Sequence, residues 1–170
     1  MKKIRLFISS LAILFLSKMA VSQNVMVNIL TQKSGIVTKN GIVFLEITIN
    51  NTDPLAYIGI YRIKTQLSVP SAIASIAAEG HVLPTGWTIT SQNDSVINLS
   101  NGKDMIAAND ARTLLVAIRG MKMGGPSTIS CQLSFSDGTS PGTAPGTLPG
   151  ENPGDNRSTS TIEVTGKKGF

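Results

Sequence analysis

After residue 22, hydrophobic and polar residues alternate in short runs separated by turn-forming residues. A period of two sends successive side chains to opposite faces, which is the mark of half-buried β-strands. Over 24–31, Val25, Val27 and Ile29 alternate with Met26, Asn28 and Leu30. The clearest run is 42–50, with Val43, Leu45, Ile47 and Ile49 on one face and Phe44, Glu46, Thr48 and Asn50 on the other. Asn51-Thr52-Asp53-Pro54 ends it, because Asp caps turns and Pro cannot donate to a ladder. Alternation resumes over 58–69, where Tyr61, Ile63, Thr65, Leu67 and Val69 share a face. Two shorter strands, 87–90 and 95–99, flank a polar turn at 91–94. Three more follow at 112–119, 128–135 (Ile129, Cys131, Leu133 and Phe135 inward) and 158–164. Helical spacing occurs only over 71–79, at Ile73, Ile76 and Ala77; that is too short for a stable helix and allows a single helical turn.

About eight short strands with recurrent turn signals predict an all-β fold, a β-sandwich with Greek-key connections. The first 22 residues do not belong to it. Lys2, Lys3 and Arg5 precede an eleven-residue apolar run, Leu6 to Leu16, and Ala20-Val21-Ser22 offers small residues for cleavage. That is the layout of a secretory signal peptide. A membrane-spanning helix needs about 20 apolar residues, and Lys18 interrupts this run too soon. The expected organisation is a signal peptide at 1–22, a sandwich domain at 23–165 and a short tail at 166–170. The protein is expected to be exported, to the periplasm, the outer cell surface or the medium, and to meet a membrane only through the signal before cleavage.

Removing the signal changes the charge picture. The full chain of 170 residues carries 15 Lys and Arg against 10 Asp and Glu, a net +5 that by itself suggests nucleic acid as partner. Four of those basic residues lie in the signal, so the mature chain has a net charge of +1, and its basic residues are scattered rather than clustered with aromatics. Nucleic acid is therefore not an expected partner. One Cys and one His leave no disulfide framework and no His/Cys metal cluster.

The segment 137–157 stands apart. Pro-Gly recurs at 141–142, 145–146, 149–150 and 153–154, a strict period of four. Pro presets φ for the second position of a type II turn and Gly supplies the positive φ of the third, so the segment is expected to be a string of turns or a loop, with no strand.

Three stretches resemble the conserved repeat of bacterial surface proteins known as domain of unknown function number eleven. They are Val43 to Pro54 (VFLEITINNTDP), Leu83-Pro84-Thr85-Gly86-Trp87, and Asp155 to Val164 (DNRSTSTIEV). The resemblance implies an immunoglobulin-like sandwich of about seven to eight strands, and with it a structural, adhesion or assembly module that acts by protein contact and not by catalysis. Partners would be other envelope proteins or further copies of the chain, joined at sheet edges; the terminal strands 24–31 and 158–164 are the candidate donors.

Few residues carry candidate chemistry, and no cofactor is expected. His81 lacks a recognisable nucleophile or orienting carboxylate nearby in sequence. Cys131 falls on the inward face of its strand and reads as a buried thiol. Asp137, Glu151 and Asp155, in or beside the long loop with Asn152 and Asn156, are weak candidates for calcium, which takes loop oxygens. Trp87, Tyr57 and Tyr61 are candidate glycan contacts if exposed, the alternative function being a glycan-binding module; Trp87 fits a sandwich core better. Asp94-Ser95-Val96 resembles an O-glycosylation acceptor of gram-negative envelopes, with Ser95 as the site.

Overall fold

A computed structural model describes residues 23–138 and 145–166. The expected signal peptide at 1–22, the Pro141-Gly142 pair and residues 167–170 lie outside the described residues. The described residues form eleven strands: β1 (Val25–Thr31), β2 (Ile36–Thr38), β3 (Ile42–Asn51), β4 (Ile63–Ser68), β5 (Ala74–Ile76), β6 (Thr88–Gln92), β7 (Val96–Ser100), β8 (Ala111–Gly120), β9 (Gly124–Ser136), β10 (Pro145–Gly146) and β11 (Arg157–Thr165). Three of them, β2, β5 and β10, span three residues or fewer, and the remaining eight are the eight expected from the alternation.

The strands form two sheets, one ordered β1-β3-β8-β5 and the other β2-β11-β9-β4-β7-β6, with β10 added against β9. The chain crosses between sheets from β3 to β4, β7 to β8 and β8 to β9, as Greek-key connections do. The architecture is an immunoglobulin-like β-sandwich. Pairing between these strands is antiparallel except where β2 lies parallel to β11, and just beyond β2 a parallel bridge joins Lys39 to Gly120. The inner faces are those that the alternation marks: Val25, Val27 and Ile29 of β1, Val43 to Ile49 of β3 at every second residue, and Ile129 to Phe135 of β9 are all buried.

Several boundaries move for local reasons. The strand expected at 58–69 begins only at Ile63, because Tyr61 sits at φ 57 in a left-handed turn. Ile58 instead makes an isolated bridge to Ile106, and both are fully buried. The 87–99 hairpin shifts by one residue: its turn is held by Asn93 Oδ1, which accepts from the amides of Ser95 (2.9 Å) and Val96 (2.8 Å). Around 71–79 there is one tight turn, where the amides of Ile73 and Ala74 both donate to the Pro70 carbonyl, but the chain then joins β8 as strand β5.

Two buried asparagines organise the loop end of the sandwich. Asn101, fully buried, accepts from the Ile63 amide (2.9 Å) and donates to the carbonyls of Gly59 (2.8 Å) and Asp104 (2.7 Å). Asn51 donates to Ala56, Ile106 and Ala107 carbonyls, and Asp53 Oδ1 caps the amides of Leu55 and Ala56. In these places a side-chain amide does the work of a missing ladder partner, and buried backbone groups need one. Replacing Asn101 by Ala should therefore lower the unfolding free energy by about 1–3 kcal/mol for each group left unpaired. Urea denaturation checks it; a change under about 0.5 kcal/mol, the scale of an ordinary surface substitution, would contradict the role.

Candidate functional site

The Pro-Gly segment is built into the sandwich at the side where β1 is the edge of its sheet. Pro149-Gly150 forms the expected turn: Gly150 lies at φ 74, and the Glu151 amide donates to the Leu148 carbonyl at 3.3 Å across it. Pro153-Gly154 occupies a second four-residue turn, with the Asp155 amide on the Asn152 carbonyl at 3.4 Å. Pro145-Gly146 departs from the expectation of a strandless loop. It pairs with Ser136 and Phe135 as β10. Leu148 is buried among the core residues, which pins the segment between these turns.

From this anchorage the segment supplies acceptors to β1. Every second amide of β1 points away from β3. Val25 N–H donates to Glu151 Oε2 (3.1 Å), Val27 N–H to the Asp155 carbonyl (3.1 Å), Ile29 N–H to Ser158 Oγ (3.1 Å) and Thr31 N–H to Ser160 Oγ (3.3 Å). Asn24 adds two side-chain contacts: its Nδ2 donates to Asp155 Oδ2 (3.2 Å) and its Oδ1 accepts from the Asn152 amide (3.1 Å). Asn152 Nδ2 also donates to Asp155 Oδ2, at 3.3 Å.

The other oxygens of this group are left over. Glu151 Oε1, Asp155 Oδ1 and Asn156 Oδ1 are each shut off from solvent and meet no hydrogen-bond donor. Burial, reinforced by the negative charge of Asp155, pushes the Glu151 carboxyl up to about 7. Neither carboxylate has a cationic partner among the described residues, whereas Arg112 binds Asp104 (2.8 Å) and Asp110 (2.6 Å) elsewhere.

Of the calcium candidates, the structure thus brings Glu151 and Asp155 together. Asp137 does not join them, since no three Asp, Glu, His or Cys side chains gather among the described residues. Asn24 was not expected, whereas Asn152 and Asn156 lie among the loop oxygens that the sequence offers. The signal for them was a tandem repeat, Pro-Gly-Glu-Asn at 149–152 and Pro-Gly-Asp-Asn at 153–156, which sets a carboxylate and an amide at the same place after each turn.

The remaining candidates lie apart. Trp87 is only 6% exposed and its indole N–H donates to Asp104 Oδ2 at 2.8 Å. Tyr61 lines a shallow hollow beside Trp87 and Lys103, while Tyr57, 59% exposed, borders another with Leu55 and Arg62. His81 Nδ1 accepts from the Ala117 amide at 3.1 Å, which extends the β8 edge. Cys131 is buried, and burial pushes its thiol up to about 12, so it is not a thiolate at neutral pH. Ser95 stands at the β6–β7 turn with its hydroxyl on Asn93 Oδ1 (3.3 Å). A polar hollow of about 380 Å³ lies on the outer face of the second sheet, lined by Gln66, Thr90, Ser91, Asn98 and Gln132.

No protein-family model matches the chain, and no curated protein matches it. Solved structures do. A cohesin module from a Clostridium perfringens family 33 glycoside hydrolase has a TM-score of 0.55 at 10% identity, covering 84% of this chain and 98% of that one. An uncharacterized Nocardia farcinica protein with an immunoglobulin-like fold scores 0.47 at 13% identity, covering 80% and 98%. An Actinomyces fimbrial adhesin scores 0.48 at 12% identity, covering 80% of this chain and 56% of its own. The likeness is one of fold.

The Glu151 geometry makes stability depend on pH. Its folded value lies above the ordinary 4.5, so its contribution is complete below about 4.5 and is lost as pH rises through about 7. With a chelator present, the Tm of the chain from residue 23 onward should fall between pH 5 and 8, and Glu151→Gln should remove part of that fall. Identical pH profiles for the two proteins would contradict the assignment.

Proposed function

We propose that the protein is an exported immunoglobulin-like module of a bacterial cell envelope, of the kind its three family-like stretches suggest, serving adhesion or assembly through protein contact. One observation carries the reading: β6 ends its sheet with every residue exposed, whereas the edge at β1 is occupied by the chain itself. β1 is occupied by the Pro-Gly segment and two serines of β11, and β11 itself lies between β2 and β9. The terminal strands are therefore not the free donors expected from sequence. At the far side, the Ile76 amide of β5 donates to the Asp94 carbonyl, and Gln92 Nε2 to the Ala77 carbonyl. The second sheet ends at the three-residue β2 on one side and at the longer β6 on the other. In β6 all five residues are exposed, and Thr88-Ile89-Thr90-Ser91-Gln92 contains neither charge nor proline, the usual guards of an edge. Such an edge suits an added strand from a partner.

A second reading, a glycan-binding module, draws support from the amide- and hydroxyl-lined hollow beside β6, where Gln66, Asn98 and Ser91 form a hydrogen-bonded row. Burial of Trp87 takes it out of any aromatic platform. Oligosaccharide binding that survives Gln66→Ala and Gln132→Ala would remove this site from consideration.

The contact reading is tested with Thr88→Lys combined with Thr90→Lys. Both side chains are exposed, so the Tm should hold, within about 0.5 kcal/mol of stability. A partner cross-linked and identified from native envelopes should then bind the variant at least tenfold more weakly. Equal affinity would show that β6 is not the docking edge.

A further inference from the structure

We infer that the strand added to β6 is β6 of a second copy of this chain, paired antiparallel about a two-fold axis at Thr90, which sets Lys103 of each copy against the partner's Asp94. The inference rests on the reading of β6 as the contact edge and names its occupant.

The first support is that β6 is unfinished as an edge. Among the described residues, no backbone group of Thr88 to Gln92 is bonded outside the pairing with β7. Amides and carbonyls left over on such an edge are a template for another strand. Ile89 lies opposite Leu99, so its side chain is on the core face of the sheet. Leu99 is fully buried, yet Ile89 is 41% exposed, because no strand lies beyond it. An added strand would complete the cover of Ile89 as well as the ladder.

The second support is the charge at the two ends of the strand. At the Thr88 end stands Lys103, placed by its amide on the Gly86 carbonyl at 3.1 Å. Lys64, two strands further in, adds to this basic end. At the Gln92 end, Asp94 follows in the turn. Glu79 lies on the same side, two residues beyond Ala77, whose carbonyl accepts from Gln92 Nε2 at 2.7 Å. Lys103, Asp94 and Glu79 are exposed, and none of them enters an ion pair among the described residues. Asp104, beside Lys103, is already paired with Arg112.

An antiparallel copy reverses this order. When Thr90 faces its own counterpart, Thr88 faces Gln92 and Gly86 faces Asp94. Each basic end then meets an acidic one, and the two-fold axis makes the contact twice. A foreign strand of uniform charge would be repelled at one end. The register of β6 against β7 shifts between Ile89 and Ser91, and this bulge confines regular pairing to the residues on either side of it. The contact is therefore small and belongs to the weak, exchanging class.

The experiment is sedimentation equilibrium of the chain from residue 23 onward, from about 1 µM to about 1 mM. Monomer and dimer should exchange, and salt should weaken the dimer. Thr88→Lys combined with Thr90→Lys should weaken it at least tenfold. Lys103→Glu alone and Asp94→Lys alone should each weaken it about fivefold or more, and the two together should restore it to within about twofold. All these positions are exposed, so the Tm should hold. Thr90→Cys should give a disulfide-linked dimer on mild oxidation, because Cβ atoms directly opposite lie about 4.5–5.5 Å apart. Thr113→Cys, exposed on β8, should not, and Cys131 is buried. A chain that stays monomeric, while an envelope partner still depends on β6, would overturn the second copy and leave the contact reading standing. A dimer indifferent to the two lysines would overturn β6 as its interface. A double charge reversal no better than the single ones would overturn the antiparallel register.

Discussion

The free side of β1 sets the constraint that the rest of this sandwich answers. Val25, Val27, Ile29 and Thr31 are buried, yet their amides point away from β3, the strand that pairs with β1. Water cannot reach them, and buried amides are almost always bonded. The fold meets the demand with four acceptors from one stretch of chain: a carboxylate, a carbonyl and two hydroxyls, from Glu151, Asp155, Ser158 and Ser160. Because β11 belongs to the opposite sheet, its backbone cannot continue the ladder, and short serine side chains span the gap instead. The side of the sandwich is closed without becoming a barrel.

This closure explains the unusual loop. A brief β9–β11 connection would reach β11 but would offer nothing to the first half of β1. The Pro-Gly turns carry the chain along that edge, with Leu148 as an apolar anchor and Arg62 Nη2 holding the Thr147 carbonyl at 3.0 Å. Supplying acceptors from Asp and Glu has a cost, since it brings two like charges into a desolvated place. The raised Glu151 carboxyl and the donorless oxygens are that cost made visible.

Alternation made the eight longer strands and their inward faces readable in the sequence, since a period of two depends on nearest neighbours alone. Val43 to Ile49 and Ile129 to Phe135 are inward as expected. What alternation could not show is which strand lies beside which. β2 and β10 are short because a distant partner, β11 or β9, creates them. Nor does composition separate a serine on a solvent face from Ser158 or Ser160 serving as a backbone acceptor. The turn at Pro149-Gly150 was legible because its φ requirement is local. The site around it was half legible: Glu151 and Asp155 stood out by charge, Asp137 was grouped with them only by proximity along the chain, and Asn24 lies 128 residues from Asn152 in sequence.

Hydrogen exchange at β1 tests the closure most directly. An edge strand open to water exchanges its outward amides quickly, whereas bonded and buried amides open only with larger unfolding. The account predicts that Val25, Val27, Ile29 and Thr31 exchange as slowly as the amides of the central strand β3. Exchange of those four at the rate of exposed loop amides, with the protein still folded, would contradict it.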